Sequence, residues 1–426
     1  MANDVTAVVM AAGLGTRMKS ATPKHLHPLL GRRLVDWVVQ AARDAGVERV
    51  VVVTSAEAAG AFPDDEVAVQ REPRGTGDAV RAARDVLGDV TGDVIVLNGD
   101  VPALRGETVA ALLDTHRREN AAGTVLSFEP DDVRSYGRVV RDGDGRLARI
   151  VEARDASPDE LALGEVNSGI YVFDAEKLWP LLDRLEPKNA QGELYVTDTL
   201  GLLVQDGERV AVHVAPLAWE VEGINTRVEL AFVAGRLRDR INEQHMLNGV
   251  TIVDPESTWI EAGVELAQDV TIHPYTVIRG GVRIESGAEI GPFAYVRPGT
   301  TLGPNGKIGT FVEVKNSQVG AGAKIPHLSY IGDAEIGDNT NIAAANVTAN
   351  FKHEPGKSKA RTKIGRNVRT GVDNTFNAPV EIGDDAWIAP GAVITDDVPP
   401  GSLAGFAPRQ DTKEGWVYDK HGKPDS

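Results

Sequence analysis

Residues 283–314, RIESGAEIGPFAYVRPGTTLGPNGKIGTFVEV, decide the fold of the second half of the chain. Aliphatic residues recur in this stretch every six positions, at Ile284, Ile290, Val296, Leu302, Ile308 and Val314. The phase slips by one at Val319, resumes through Ile325 and Ile331, slips again at Ile336 and continues to Ile342. It returns at Ile382, Ile388 and Ile394, and glycine often follows the aliphatic residue, as in Ile290-Gly291, Leu302-Gly303 and Ile382-Gly383. A period of six with this composition reads as a parallel β-helix in which each short strand stacks its aliphatic residue on the next coil.

Upstream the pattern differs. TAVVM (6–10), VVVVT (50–54), VIVL (94–97) and GIYVF (169–173) read as buried strands, and 34–45 and 77–87 read as helices between them. Strands alternating with helices predict an α/β domain with a mostly parallel, Rossmann-like sheet, whose ligands bind outside the carboxyl ends of the strands. Residues 226–247 form a longer helical pattern. Thr226 and Glu229 fit a capping box, with Val228, Leu230, Leu237 and Ile241 as an apolar stripe. At about 1.5 Å per residue it spans roughly 30 Å, which suits a linker. The expected division is therefore 1–225, 226–247 and 248–426.

Composition sets limits on function. Of 426 residues, 62 are acidic and 45 basic, a net charge of −17, which argues against a general nucleic-acid or membrane-surface binder. The chain has no cysteine, so disulfides, thiolate nucleophiles and Cys-based metal sites are excluded. With no basic leader and no run of about 18 apolar residues, a soluble, cytoplasmic protein is expected.

The first strand of the N-terminal half runs into Ala11-Ala12-Gly13-Leu14-Gly15-Thr16-Arg17-Met18, then Pro23-Lys24. Glycines after a strand let backbone amides approach a phosphate, and Arg17 and Lys24 can neutralise it. A dinucleotide site competes for this motif, but its third glycine would fall at Met18. Gln70 precedes Gly75-Thr76-Gly77-Asp78-Ala79, a turn opening a helix, and the strand at 94–97 delivers Asn98-Gly99-Asp100. A carboxylate there is placed to hold Mg²⁺; read alone, Asp100 is equally a cap or turn residue.

AAGLGTRMKSATPKHLH resembles the signature of sugar-1-phosphate nucleotidyltransferases. Together with QREPRGTGDA, NGDVP, YGRVVRDGDGRLARIVEARDA, EVNSGIYVF, NAQGELYVTD and VEGINTRVEL, it is similar to one family in particular. This is the bacterial bifunctional N-acetylglucosamine-1-phosphate uridylyltransferase / glucosamine-1-phosphate N-acetyltransferase family, and the similarity runs over nearly the whole chain. It implies a uridylyltransferase domain followed by a left-handed parallel β-helix carrying the acetyltransferase, with UTP, N-acetylglucosamine 1-phosphate, glucosamine 1-phosphate and acetyl-CoA as substrates. By resemblance, Met10, Ala11, Ala12, Gly13, Gln70, Gly75, Thr76 and Gly99 hold the uridine nucleotide. Arg17 and Lys24 bind its phosphates and stabilise the transition state. Asp100 and Asn225 ligate Mg²⁺, and Gly137, Glu152 and Asn167 contact N-acetylglucosamine. Asn98 stands where that family commonly has an aromatic residue.

The β-helix half carries a second constellation in Arg297, Glu313, Lys315, His327, Tyr330, Asn341 and Asn350. A lone histidine is usually structural or solvent-facing, but HLSYIGDAEIGDNTNI resembles the family's acetyltransferase motif, in which His327 is the general base. The resemblance gives Arg297, Lys315, Tyr330, Asn341 and Lys359 to the glucosamine 1-phosphate site and has Glu313 orient the imidazole. It gives Ala344, Asn350, Phe351, Val372 and Pro390 to acetyl-CoA. That donor region departs from the family pattern: Ala343-Ala344-Ala345 replaces Gly-Ala-Gly, Phe351 a Tyr, Val372 a Ser and Pro390 an Ala, and the loop 352–358 (KHEPGKS) is longer. The acceptor site is expected intact and the donor site altered. Modified binding of acetyl-CoA is favoured over another acyl donor or a β-helix kept for assembly alone.

The family implies a homotrimer. The alternatives are a monofunctional sugar-1-phosphate nucleotidyltransferase with a structural β-helix, and a non-enzymatic sugar-nucleotide sensor. Arg297, Lys315, His327 and Tyr330 speak against the first, and Arg17, Lys24, Asp100 and Asn225 against the second. The tail 413–426 (KEGWVYDKHGKPDS) is polar, with Trp416 as a possible anchor.

Overall fold

A computed structural model describes residues 4–13, 15–133, 136–189, 191–351, 359–405 and 412–421 of the chain. It divides into two compact units, Met1–Leu237 and Arg238–Ser426. Leu14, the lengthened loop at 352–358 and the end of the tail lie outside the described residues.

In the first unit, Val5–Ala11 is central, parallel to Arg49–Ser55 on one side and Asp93–Asn98 on the other. Glu66–Gln70 extends the sheet parallel to Arg49–Ser55. Beyond Asp93–Asn98 comes Val166–Asp174, antiparallel to both of its neighbours, then Gly123–Phe128 and Val210–Val214. That antiparallel strand matters for function, because it brings its beginning, Val166 and Asn167, to the edge where the parallel strands end.

The strands are apolar on both sides because helices cover both faces. Ala7, Val9, Val52, Ile95 and Leu97 pack with Val35, Val38 and Val39 of helix Leu34–Asp44 and Val109 and Leu112 of helix Gly106–Arg118. Val8, Val51, Val53, Val94 and Val96 point the other way, against Val80, Ala83 and Leu87 of helix Thr76–Leu87 and against Leu178, Leu181 and Leu200.

Helix Arg227–Leu247 starts at the expected capping box. Glu229 N donates to Thr226 Oγ1 (3.2 Å), and the Glu229 carboxylate accepts from the backbone of Thr226 (2.8 Å) and Asn225 (2.7 Å). The apolar stripe differs in one member. Val228 is 80% exposed, and Val233 takes its place beside Leu237 in a core with Met18, Leu34 and Ile224. Val233 precedes Leu237 by four positions and so shares its helical face; Val228, nine positions before Leu237, turns out to solvent.

The second unit is a left-handed parallel β-helix of three sheets, one strand per sheet in each coil. Ile272, Ile290, Ile308 and Ile325 stack on the first face, Ile278, Val296, Val314 and Ile331 on the second, and Ile284, Leu302, Val319 and Ile336 on the third. All point inward and are buried. The two phase slips are absorbed at corners where Asn316 and Asp333 adopt φ of 46° and 52°, a left-handed conformation that Asn and Asp tolerate better than other side chains. Another corner carries Tyr275, Phe293 and Phe311, half-exposed and stacked at 4.8 and 5.0 Å between ring centroids.

Ile290→Ala removes a fully buried rung between Ile272 and Ile308 and is expected to cost about 3 kcal/mol. Glu335→Ala, on the outward side of the third face, is expected to change stability by less than about 1 kcal/mol. Urea unfolding of the two variants measures both, and equal losses would contradict the inward ladder.

Candidate active sites

The first unit builds its site where strand order reverses about Val5–Ala11, which opens a crevice at the strand ends. Met10 and Ala11 end that strand, and Ala12 and Gly13 begin the loop. Gly15 has φ 59°, and a Cβ there would lie 2.5 Å from Lys24 Cβ, so glycine is required for the loop to fold over Lys24. Gly99 N donates to Met10 O at 2.9 Å, which fixes the Asn98-Gly99-Asp100 turn beside the loop. Ile224 N donates to Asp100 O at 2.9 Å and brings in Gly223 to Asn225.

Four polar side chains converge there. Lys24 Nζ forms an ion pair with Asp100 Oδ2 and donates to Asn225 Oδ1 at 3.1 Å, while Arg17 donates to the same Asn225 oxygen at 2.9 Å. Burial opposes the charge on Asp100, but the Lys24 ammonium beside it holds its carboxyl below the usual carboxylate range. A cavity of about 330 Å³ opens here, lined by Met10, Ala12, Gly13, Lys24, Gln70, Gly75, Thr76 and Asp100 among others. Gln70 Nε2 donates to Gly75 O and Asp78 Oδ2, both at 3.1 Å, and Thr76 Oγ1 accepts from Val196 N at 3.0 Å.

Gly137, Glu152 and Asn167 form a neighbouring cluster outside the lining of that cavity. Asn167 N donates to Gly137 O at 2.8 Å, and a Cβ on Gly137 would come within 3.2 Å of the Glu152 carboxylate. Burial, reinforced by Asp198 and Asp155, raises the Glu152 pKa. Asn98, from the cavity wall, donates to Ser168 O at 3.1 Å and so links the two clusters.

Sequence reasoning missed His25. It is buried in the cavity wall, and methyl groups on Gly13 and Gly99 would come within 3.6 and 3.4 Å of its Nε2 and Nδ1. Both nitrogens lie against those backbone segments without a well-formed hydrogen bond. Burial pushes its pKa down to about 4, with Asp100 opposing and Lys24 adding. The only signal in the sequence was its place directly after Lys24.

In the second unit, the second face and its far corner gather Arg297, Glu313, Lys315, Tyr330 and Asn350. Arg297 donates to Glu313 Oε1 at 2.7 Å, and Glu313 and Tyr330 are paired rungs. Asn350, buried, donates to Asp333 and to Tyr330 OH (3.5 Å), and Asn316 donates to Asp333 Oδ1 at 2.5 Å. Contact with the Lys359 amine, with burial adding, holds the Lys315 pKa below the usual lysine range, and the nearby Asp333 carboxylate opposes the shift. Glu313 thus engages Arg297; no contact with His327 is formed among the described residues. His327 ends strand Lys324–His327 at the corner between the first and second faces, exposed, and Asn341 stands on the first face. Ala344, Val372 and Pro390 form a line along that corner, joined by Asp373 N to Ala344 O (3.0 Å) and Gly391 N to Val372 O (2.8 Å). Phe351 is exposed.

A neutral native His25 fixes a sign. Between pH 6.5 and about 4 the unfolded chain binds a proton that the folded one refuses, so stability falls as pH falls. Without added metal, His25→Val is expected to remove up to about 3 kcal/mol of that acid loss. Denaturant midpoints across this range would contradict the assignment if the two slopes matched.

Residues 7–195 match the MobA-like NTP transferase domain family. The chain is 46% identical over 455 residues to the bifunctional protein GlmU of Streptomyces coelicolor, covering 97% of this chain and 94% of the relative. It is 43% identical to that of Corynebacterium aurimucosum (97% and 93% covered) and 42% identical to that of Mycobacterium bovis (99% and 94% covered). With this identity along nearly the full length of both chains, the protein belongs to the GlmU family.

Proposed function

We propose that the chain makes UDP-N-acetylglucosamine in two reactions. The second unit transfers the acetyl group of acetyl-CoA to glucosamine 1-phosphate. The first transfers a uridylyl group from UTP to N-acetylglucosamine 1-phosphate and releases pyrophosphate. The observation that carries this reading is the convergence of Arg17 and Lys24 on Asp100 and Asn225 at the strand switch point of a GlmU-family chain.

Asp100 and Asn225 are the residues that would hold Mg²⁺. Lys24 Nζ already contacts Asp100 Oδ2 and lies 3.1 Å from Asn225 Oδ1, so both oxygens face one cation position, and they are the hard donors this ion takes. Bound there, Mg²⁺ would withdraw charge from the phosphates of UTP. Arg17 and Lys24 neutralise the phosphates, Met10 to Gly13 with Gln70, Gly75, Thr76 and Gly99 hold the nucleoside, and Gly137, Glu152 and Asn167 hold the sugar. An oxygen of the sugar phosphate then attacks the α-phosphorus in line, the bond to the bridging oxygen breaks, and pyrophosphate departs. Positioning and electrostatics supply the catalysis.

On the β-helix, Lys315, Lys359 and Arg297 bind the acceptor's phosphate, and the Lys315–Lys359 contact is relieved by its negative charge. Tyr330 and Asn341 complete the acceptor site. His327 takes a proton from the acceptor's ammonium. The freed amine attacks the thioester carbonyl, and coenzyme A leaves as the thiol. Family membership supports a homotrimer in which neighbouring copies complete each site. Light scattering is then expected to give three times the 45.4 kDa chain mass. We place the reactions in the cytoplasm. Among the described residues no helix is long and apolar enough to cross a membrane.

Two substitutions test the reading. Asp100→Ala is expected to abolish pyrophosphate release while leaving thiol release from acetyl-CoA intact. His327→Ala is expected to lower acetyl transfer by about 10²–10⁴-fold and to spare uridylyl transfer. Loss of both activities in either variant would contradict two separable sites.

A further inference from the structure

The first unit buries a carboxylate that the uridylyl mechanism leaves without a task. Glu220 ends the short turn Ala218–Glu220 and is 1% exposed, the most buried carboxylate among the described residues. Its two oxygens are divided between partners far back in the chain. Arg105 Nε lies 2.6 Å from Oε1, an ion pair without an aligned hydrogen bond, and Thr108 Oγ1 donates to Oε2 at 3.0 Å. Arg105 is the N-cap of helix Gly106–Arg118 and Thr108 stands in its first turn, where unpaired backbone N–H groups and the helix dipole favour negative charge.

The two segments joined in this way carry the paired oxygens of the uridylyl site. Asp100 precedes Arg105 by five positions, and Asn225 follows Glu220 by five. Between these points Val101, Leu104 and Val221 share one apolar cluster, and Ala103 and Ile224 share another. Ile224 N donates to Asp100 O at 2.9 Å, and a methyl group on Gly223 would come within 3.5 Å of the Asp100 carboxylate. The segments therefore run side by side, from the Glu220 pair at one end to Asp100 and Asn225 at the other. Beyond Asn225 the chain is held again, because the Glu229 carboxylate accepts from the backbone of Asn225 and Thr226. Two carboxylates thus clamp opposite ends of the stretch that presents Asn225.

We propose that Glu220 is a positioning residue for uridylyl transfer: by holding Arg105 and Thr108 it sets the spacing between Asp100 and Asn225, and so the fit of the divalent cation they would share. This rests on the reading of those two residues as the metal ligands. Taking both charges of the Glu220–Arg105 pair out of water offsets most of their attraction, so the pair contributes little net stability. Its contribution is direction. Apolar contacts between the segments are non-directional, whereas a carboxylate divided between two donors admits one register. Mg²⁺ demands near-ideal octahedral geometry at about 2.1 Å, so a small slip of either oxygen weakens its binding.

The test compares Glu220→Gln and Thr108→Val with Arg117→Gln. The last breaks the ion pair to buried Asp93 (2.7 Å) at the opposite end of strand Asp93–Asn98 and controls for the loss of a buried charge pair. Mn²⁺ alone is titrated into the full chain and followed by the electron paramagnetic resonance of the free ion. The Mg²⁺ concentration for half-maximal pyrophosphate release is measured beside it. Both values are expected to rise about tenfold or more in Glu220→Gln. In Thr108→Val, which keeps the ion pair and loses one hydrogen bond, they should rise about threefold. Neither should move in Arg117→Gln, and the KM for N-acetylglucosamine 1-phosphate and acetyl transfer should stay unchanged in all three. A rise below twofold in both values for Glu220→Gln, or an equal rise in Arg117→Gln, would overturn the proposal. Should Glu220→Gln not fold, Thr108→Val decides by the same twofold limit. If the unaltered protein bound no Mn²⁺ and released pyrophosphate without added metal, the metal reading would fail by itself. The kcat of pyrophosphate release would then decide the clamp: a fall of about tenfold in Glu220→Gln alone supports it, and equal rates in Glu220→Gln and Arg117→Gln overturn it.

Discussion

Each coil of the second unit has to bury one side chain, most often aliphatic, per face, and the placement of the outward residues there follows from that constraint. Once Val314 and Ile331 point inward on consecutive rungs, Glu313 and Tyr330 must point outward as neighbours, although they are seventeen positions apart in sequence. The same rule lines up Lys324, Asn341, Arg369 and Trp387. Where a coil is one residue short, the corner residue is Asn316 or Asp333, in the left-handed backbone that the other corners also use. Those two corner residues then hydrogen-bond one another, and Asp333 also accepts from Asn350 beside Tyr330. Shortened corners thus help build the cation cluster. Between Val347 and Thr375 the coil is longer, yet the rungs pair in register, so the added residues are accommodated without displacing the ladder.

In the first unit the corresponding constraint is the reversal of strand order about Val5–Ala11. It gathers the ends of three strands, and the antiparallel strand adds Asn167 from its beginning. The loop after the first strand crosses Lys24 closely enough to exclude any side chain at Gly15. Glu229 has two tasks, since it caps the long helix and grips the backbone of Asn225. Folding of that helix and placement of a proposed metal ligand are thereby coupled.

The aliphatic period and the fully apolar strands were legible because burial acts on residue type directly. The capping box was legible because it is local. The failures share a cause. Val228 was read into the apolar stripe because helical spacing alone does not say which of several faces meets the rest of the unit. His25 was passed over because nothing in a sequence shows that a polar ring will be walled in by Gly13 and Gly99. Glu313 was expected to orient His327, but the register sets it beside Arg297, a partner sixteen positions away.

One chain carries two complementary chemistries leading to one nucleotide sugar. Supplying the purified protein with glucosamine 1-phosphate, acetyl-CoA, UTP and Mg²⁺ together, and identifying the products by mass, tests this. UDP-N-acetylglucosamine accompanied by equal amounts of free coenzyme A and pyrophosphate is the result expected. Product formed only when N-acetylglucosamine 1-phosphate is supplied in place of its precursor, with acetyl-CoA left unconsumed, would contradict it.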